Sequence, residues 1–178
     1  GGSAEYVVAD VTDPEQTKYI DRIVEKHGKI DILVNNAGWS PRQKPLEDLS
    51  TEEIYKAVAT NLFAPFYLLR KTLPIFKQQN CGMIVNISSR AGKIGYPRLS
   101  AYTATKFAVE GLTQAVAKEL EQTRIVCFAV APGALNTPMR QELFGDAHLK
   151  QDPAQTAQSI VSLLNGTTPV ANGESVNL

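Results

Sequence analysis

The sequence predicts an α/β protein built on an open, doubly wound parallel sheet with helices on both faces. Apolar strand-like runs alternate with segments of helical periodicity along the chain, the order that right-handed crossovers between parallel strands produce. The run IDILV at 30–34 is nearly all apolar, as expected of a parallel strand covered on both faces. Four runs end, at their carboxyl side, in polar or glycine-bearing sequence: Asp10, Asn35-Asn36-Ala37-Gly38, Ser88-Ser89 and Pro132-Gly133. Ligands of open parallel sheets bind beyond the carboxyl ends of the strands, so these four ends predict one shared crevice.

Taken in order, Gly1, Gly2 and Ser3 read as a loop, either the end of a native turn or a vector-derived remnant. Residues 4–9 (AEYVVA) predict a short first strand. Asp13 then fits a helix N-cap with Pro14 at the first helical position, Ile20, Ile23 and Val24 make the inner face, and Gly28 stops the helix. The second strand is 30–34. Ser50 and Glu53 form a capping-box pattern that opens a long helix through Leu62, Phe66, Leu69 and Leu73, fraying past Pro74 towards Asn80. Residues 82–87 predict the third strand, and 101–121, rich in alanine and glycine, a long helix. The fourth strand is 124–131. Asp152, Pro153 and Gln155 start a capped helix to Leu164, and 174–178 predicts a last short strand. No repeat or low-complexity linker divides the 178 residues, so they are expected to form a single domain, 1–178.

Composition excludes several classes. Lys+Arg and Asp+Glu both number 18, giving a formal net charge of zero, without the basic footprint of a nucleic-acid binder. No apolar run is long enough to span a bilayer, and no basic-then-apolar leader pattern opens the sequence. Only Cys81 and Cys127 are present, which fits a cytoplasmic protein with reduced thiols. His27 and His148 stand apart from acidic or cysteine partners and are expected at the surface, so no metal site is expected.

The chemistry is expected around residues 84–106, IVNISSRAGKIGYPRLSAYTATK. Tyr102 and Lys106 lie four residues apart in a helical segment, on one face. A free phenol titrates near 10, too high for a base at neutral pH, and an ammonium one turn away favours the phenolate. Against this stands a plain surface pair, since YxxxK occurs often by chance. Ser89, thirteen residues before Tyr102 at a strand end, can offer its hydroxyl to the oxygen that Tyr102 protonates. The alternative, a serine that merely caps backbone, is assigned to Ser88, which strand alternation points the other way. Asn61 sits inside the long helix with Pro65 four residues on. Proline has no N–H to give the Asn61 carbonyl, so a kink is expected there; it either holds a water or serves no function.

The set Asp10, NNAG at 35–38, Asn61, Ser89, YTATK at 102–106 and PGALNT at 132–137 resembles, in order, spacing and context, the short-chain dehydrogenase/reductase family in its classical branch. The resemblance covers essentially the whole chain and implies a Rossmann-like, three-layer fold. It implies an oxidoreductase that interconverts a carbonyl and a secondary alcohol with NAD or NADP. Tyr102 is then the general acid/base, Lys106 its electrostatic partner and a ligand of the nicotinamide ribose, Ser89 the group that polarises the substrate carbonyl, and the Asn61 carbonyl the holder of a relay water. Asp10 and Val11 are implied at the adenine, Asn35, Asn36, Ala37 and Gly38 beside the adenosine ribose, and Pro132, Gly133, Leu135 and Thr137 at the nicotinamide. The family usually has Val or Ile where Leu135 stands. Trp39, Ile94, Tyr96, Leu99, Met139, Leu143 and Phe144 are expected to line a partly apolar substrate pocket. The partners implied are a small carbonyl or alcohol, with no nucleic acid and no membrane, in a homodimer or homotetramer built on the helices at 51–79 and 101–122.

One departure is large. The family opens with a strand, a TGxxxGxG turn that receives the pyrophosphate, and a second strand; this sequence holds neither strand nor turn. Roughly fifty residues of the family pattern, judged by βαβ unit length, are lacking at the front. In the order 3-2-1-4-5-6-7 the lacking strands lie between 4–9 and 30–34, so 30–34 is expected at an open edge. Two other readings stand beside the oxidoreductase: a non-catalytic binding or assembly module, and an epimerase-like relative that uses the same Tyr and Lys without the compact NNAG-to-PG set.

Overall fold

The computed structural model describes residues 2–145 and 151–178. His148 and its expected surface position therefore lie outside the described residues. Four strands form one parallel sheet: β1 (Ile32–Asn35), β2 (Gly82–Ile87), β3 (Ile125–Ala131) and β4 (Ser175–Asn177), in the order β1-β2-β3-β4. Helices alternate with them: α1 (Tyr19–His27), α2 (Thr51–Val58), α3 (Ala64–Gln79), α4 (Ser100–Glu119), α5 (Pro138–Phe144) and α6 (Pro153–Leu164).

Strand alternation sorts the core into two layers. On one face Leu33, Ile84, Ile125 and Cys127 pack with Ile20 of α1, Leu68, Leu69 and Phe76 of α3, and Leu112 and Val116 of α4. On the other Val85, Phe128 and Val130 pack with Leu163 of α6. This is the expected three-layer α/β architecture. It holds four adjacent parallel strands, and β1 is at the edge as foreseen. The expectation that 30–34 is covered on both faces is corrected. Ile32 and Val34 are 41% and 42% exposed, because the apolar cluster under α6 gathers residues of β2, β3 and β4 and none of β1.

Residues 4–9 form no strand. Tyr6 and Val8 are 90% and 91% exposed. A strand needs a ladder partner for its N–H and C=O groups, and among the described residues none pairs with this run. The Asp13 cap holds: its Oδ1 accepts the Glu15 N–H at 2.9 Å, over a short 3-10 turn (Pro14–Lys18) that leads into α1. Gly28 ends α1 at φ 77°, a left-handed position that glycine tolerates without penalty.

The Ser50–Glu53 capping box forms in full. The kink expected at Asn61 is a π turn, Ala59–Phe63, between α2 and α3. There the Ala64 N–H donates to the Ala59 carbonyl five residues back, the widened ring by which the helix continues past Pro65. The expected fraying past Pro74 is corrected: α3 runs through Pro74 to Gln79. Its last turn is held by fully buried Phe76 and by the Gln79 amide, which pairs with both the N–H and the C=O of Ile30. Asp152 caps α6 through the Ala154 N–H.

Candidate functional site

The carboxyl ends of β1, β2 and β3 open into a cleft of about 720 Å³. It is lined from these ends by Asn36, Ala37 and Gly38, by Ser88 and Ser89, and by Pro132 to Leu135 and Thr137; α4 supplies Tyr102 and Lys106. The structure thus brings together most of the residues picked out from the sequence. Among the lining residues Arg90, Lys106 and Arg140 carry positive charge and none carries a carboxylate.

Lys106 is 4% exposed. Its Nζ donates to the Ile87 carbonyl at 2.7 Å and lies 5.6 Å from the centre of the Tyr102 ring. Burial lowers its pKa to about 8, against the opposing field of Glu110. Tyr102 sits one turn earlier on the same face. Burial raises its phenol pKa, and interaction with the Ser89 hydroxyl works the other way. The phenol therefore carries its proton at neutral pH.

Ser89 Oγ accepts the Ala91 N–H at 3.1 Å, capping a tight turn (Arg90–Gly92). The capping role expected of Ser88 thus belongs to Ser89. Ser88 Oγ is buried without a hydrogen-bond partner, because the turn brings the Ala91 N–H to Ser89 instead.

Asn61 is 1% exposed. Its amide clamps three groups: Oδ1 accepts the Trp39 N–H at 2.7 Å, and Nδ2 donates to the Trp39 carbonyl at 2.8 Å and to Thr105 Oγ1 at 2.9 Å. Thr105 in turn donates to the Tyr102 carbonyl at 2.8 Å. The π turn therefore ties the loop after Gly38 to the second turn of α4. The Asn61–Pro65 spacing points to the backbone carbonyl, and nothing local in the sequence marks this use of the side chain.

A second polar chain, also missed, lies beneath. Asn35 Nδ2 donates to Asn86 Oδ1 at 2.8 Å, and Asn86 Nδ2 to Thr113 Oγ1 at 2.9 Å. Asn35 and Asn86 are register partners, so the chain locks β1 to β2 and to α4. An asparagine in the middle of the apolar run GMIVNI was the available signal. Gly38 approaches Asn61 and Lys106: a Cβ there stands 3.6 Å from Asn61 Oδ1 and 3.7 Å from Lys106 Nζ.

Gly133 N–H donates to the Leu178 carbonyl at 2.7 Å, and Thr137 Oγ1 caps α5 by accepting the Arg140 N–H at 3.3 Å. Tyr96, Leu99, Met139, Leu143 and Phe144 line the cleft as expected. Trp39 and Ile94 do not: Lys56 Nζ stacks 4.6 Å over the Trp39 ring, and Ile94 points to solvent at 54% exposure. Asp10 also lies outside the cleft, with its carboxylate bonded to Thr12. Val11 borders a smaller crevice of about 180 Å³ that is also lined by Asn35, Asn36 and Ala37.

Among the described residues no group of three His, Cys, Asp or Glu side chains is placed to hold a metal ion, and no helix is long and apolar enough to cross a membrane.

Residues 1–148 match the family model described as short chain dehydrogenase. A 3beta-hydroxysteroid dehydrogenase of Mediterraneibacter gnavus is 34% identical over 177 residues, 94% of this chain. The chain spans 63% of that relative's length, under two thirds of it. Among solved structures, a 3-ketoacyl-(acyl-carrier-protein) reductase from Brucella melitensis complexed with NADH superposes with a TM-score of 0.89. It is 28% identical, over 97% of this chain and 75% of that one. ElxO with NADP bound superposes with a TM-score of 0.83 at 34% identity, over 95% and 74% of the two chains.

Proposed function

The chain belongs to the short chain dehydrogenase family, and on that premise we propose that it interconverts a carbonyl and a secondary alcohol with NAD or NADP, Tyr102 being the general acid/base. The observation that carries the reading is the meeting of Tyr102, Lys106 and Ser89 in one cleft at the strand ends.

The residues present fit the nicotinamide half of the cofactor. Lys106 Nζ spends one N–H on Ile87 and, as an ammonium, has further donors for a ribose hydroxyl. Pro132, Gly133, Leu135 and Thr137 offer a wall for the nicotinamide, with Asn35, Asn36, Ala37 and Gly38 towards the adenosine ribose and Asp10 and Val11 towards the adenine. The glycine-rich turn that receives a pyrophosphate is not in this sequence. When bound, the nicotinamide supplies or accepts the hydride at the carbonyl carbon.

The chain's own residues manage the proton. Ser89 Oγ donates a hydrogen bond to the carbonyl oxygen and orients it. In reduction that oxygen gains negative charge, and the Tyr102 O–H delivers its proton there. The resulting phenolate is stabilised by the Lys106 ammonium one turn away. In oxidation the same phenolate takes the alcohol proton. Asn61 keeps the geometry by fixing Trp39 and Thr105, and its backbone carbonyl is assigned the relay water that reprotonates the pair. The aromatic and aliphatic lining from Tyr96, Leu99, Leu143 and Phe144 suits a partly apolar substrate.

The reading extends to a homo-oligomer, supported by exposed Tyr55, Phe63, Phe66 and Phe107 on the helical face, and to a cytoplasmic setting, supported by free Cys81 and Cys127. Supplying the intact protein with NADH or NADPH and a panel of aliphatic, cyclic and aryl ketones tests the activity. Ketone-dependent loss of nicotinamide absorbance is expected. Its absence with both cofactors across the panel overturns the reading and leaves the binding-module alternative.

A further inference from the structure

Glu110 has no part in the proton transfer described above, yet it is buried one turn beyond Lys106 on α4. Its side chain is 8% exposed, and among the described residues neither carboxylate oxygen accepts a hydrogen bond. Among the described residues the cation within ion-pair reach is Lys93, whose Nζ lies 3.4 Å from Oε2 and whose side chain is 36% exposed. The surrounding packing is close. A Cβ at Gly92 stands 3.1 Å from Glu110 Cγ, 2.9 Å from the Lys106 carbonyl oxygen and 2.6 Å from Ser88 Oγ. A desolvated carboxylate without hydrogen bonds costs folding free energy, and one part-exposed lysine at this distance offsets only some of it. For stability alone, an alanine or leucine suits this helix position better.

We propose that Glu110 is a positioning residue that holds buried Lys106 in its ammonium form, with Lys93 competing for the same carboxylate. The proposal rests on the reading of Lys106 as the electrostatic partner of Tyr102. Burial drives Lys106 towards the neutral amine, and the Glu110 charge opposes that drift. A neutral Lys106 does not stabilise a phenolate, so the acid/base pair needs a buried negative charge behind it. Of the other ionisable groups on elements packed against α4, Glu52 and Tyr55 of α2 are exposed. Arg90 lies on the cleft wall, Glu53 pairs with Lys44, Lys56 stacks on Trp39, and the Cys127 thiol is kept neutral by burial. The π turn brings no ionisable side chain.

Titration of Lys106 by heteronuclear NMR of its Cε and Nζ, in the intact protein, tests this with two variants of opposite sign. Glu110→Gln is expected to lower the Lys106 midpoint by about half a pH unit or more, and Lys93→Met to raise it. The limb of the pH–rate profile that reports Lys106 moves with the midpoint, which a merely structural role does not require. A Glu110→Gln midpoint at or above wild type, or a Lys93→Met midpoint at or below it, overturns the proposal. If Glu110→Gln does not fold, Lys93→Met, a change at a part-exposed side chain, decides alone. The titration needs no turnover. Opposite shifts in a protein that reduces no ketone therefore refute the oxidoreductase reading and leave only the charge coupling of Glu110 to Lys106; activity with unshifted midpoints refutes the role of Glu110 alone.

Discussion

Asn61→Leu removes three hydrogen bonds from a side chain that is 1% exposed. Each bond contributes about 1 kcal/mol net, and a buried polar group left unpaired costs roughly 1–3 kcal/mol. Thr105 keeps its bond to the Tyr102 carbonyl, and half-buried Trp39 recovers part of its loss through water. The expected cost is therefore about 3–5 kcal/mol rather than the full sum. Asn61→Asp keeps an acceptor for the Trp39 N–H but turns an acceptor on the Trp39 carbonyl, so it offers no rescue. Thr105→Val removes one bond of the clamp and is expected to cost about 1–2 kcal/mol. Urea unfolding reads all three as shifts in midpoint at unchanged slope. A cost below about 1 kcal/mol for Asn61→Leu shows that the clamp does not hold the loop to α4.

Two further outcomes follow from the same geometry. Lys106, at about 8 in the folded chain against 10.5 ordinarily, binds fewer protons folded than unfolded between those values, so stability rises with pH there and is lost as pH falls through 8. Cys127, pushed from 9.0 up to about 12, acts in the opposite sense above 9. The net gain is thus confined to the interval from 8 to 9 and amounts to about 1 kcal/mol; unfolding midpoints across that interval measure it, and Lys106→Met removes it. Gly92→Ala places a methyl against Ser88 Oγ and the Lys106 carbonyl and is expected to destabilise by about 1–3 kcal/mol in the same assay; an unchanged midpoint contradicts the close packing of that turn on α4.

What could be read from the sequence is what local chemistry determines. The Ser50–Glu53 box and the Asp13 and Asp152 caps formed where expected, because each depends on residues within a few positions. Asn61 with Pro65 announced an irregular helix, and the π turn is its form. What failed depends on partners distant in sequence. Residues 4–9 have a strand-like pattern but, among the described residues, no neighbour to pair with, and Pro74 is carried inside α3 by contacts with Ile30 and the core. Trp39 followed NNAG as a pocket residue should, yet Lys56 stacks on its ring. The Asn35–Asn86–Thr113 chain joins residues separated by 51 and 27 positions; the asparagine inside GMIVNI marks a buried polar group, but no local pattern names its partners. Tyr102, Lys106 and Ser89 were legible because helix period and strand end together bring them to one cleft.

Kinetics of Tyr102→Phe test the central claim most directly, because the substitution deletes one hydroxyl and leaves the ring beneath Lys106. With a ketone that the wild-type protein reduces, the variant is expected to fold, to keep the ring's packing and to lose about 10²–10⁴-fold in kcat. A Phe variant that turns over at the wild-type rate contradicts the assignment of the proton to Tyr102.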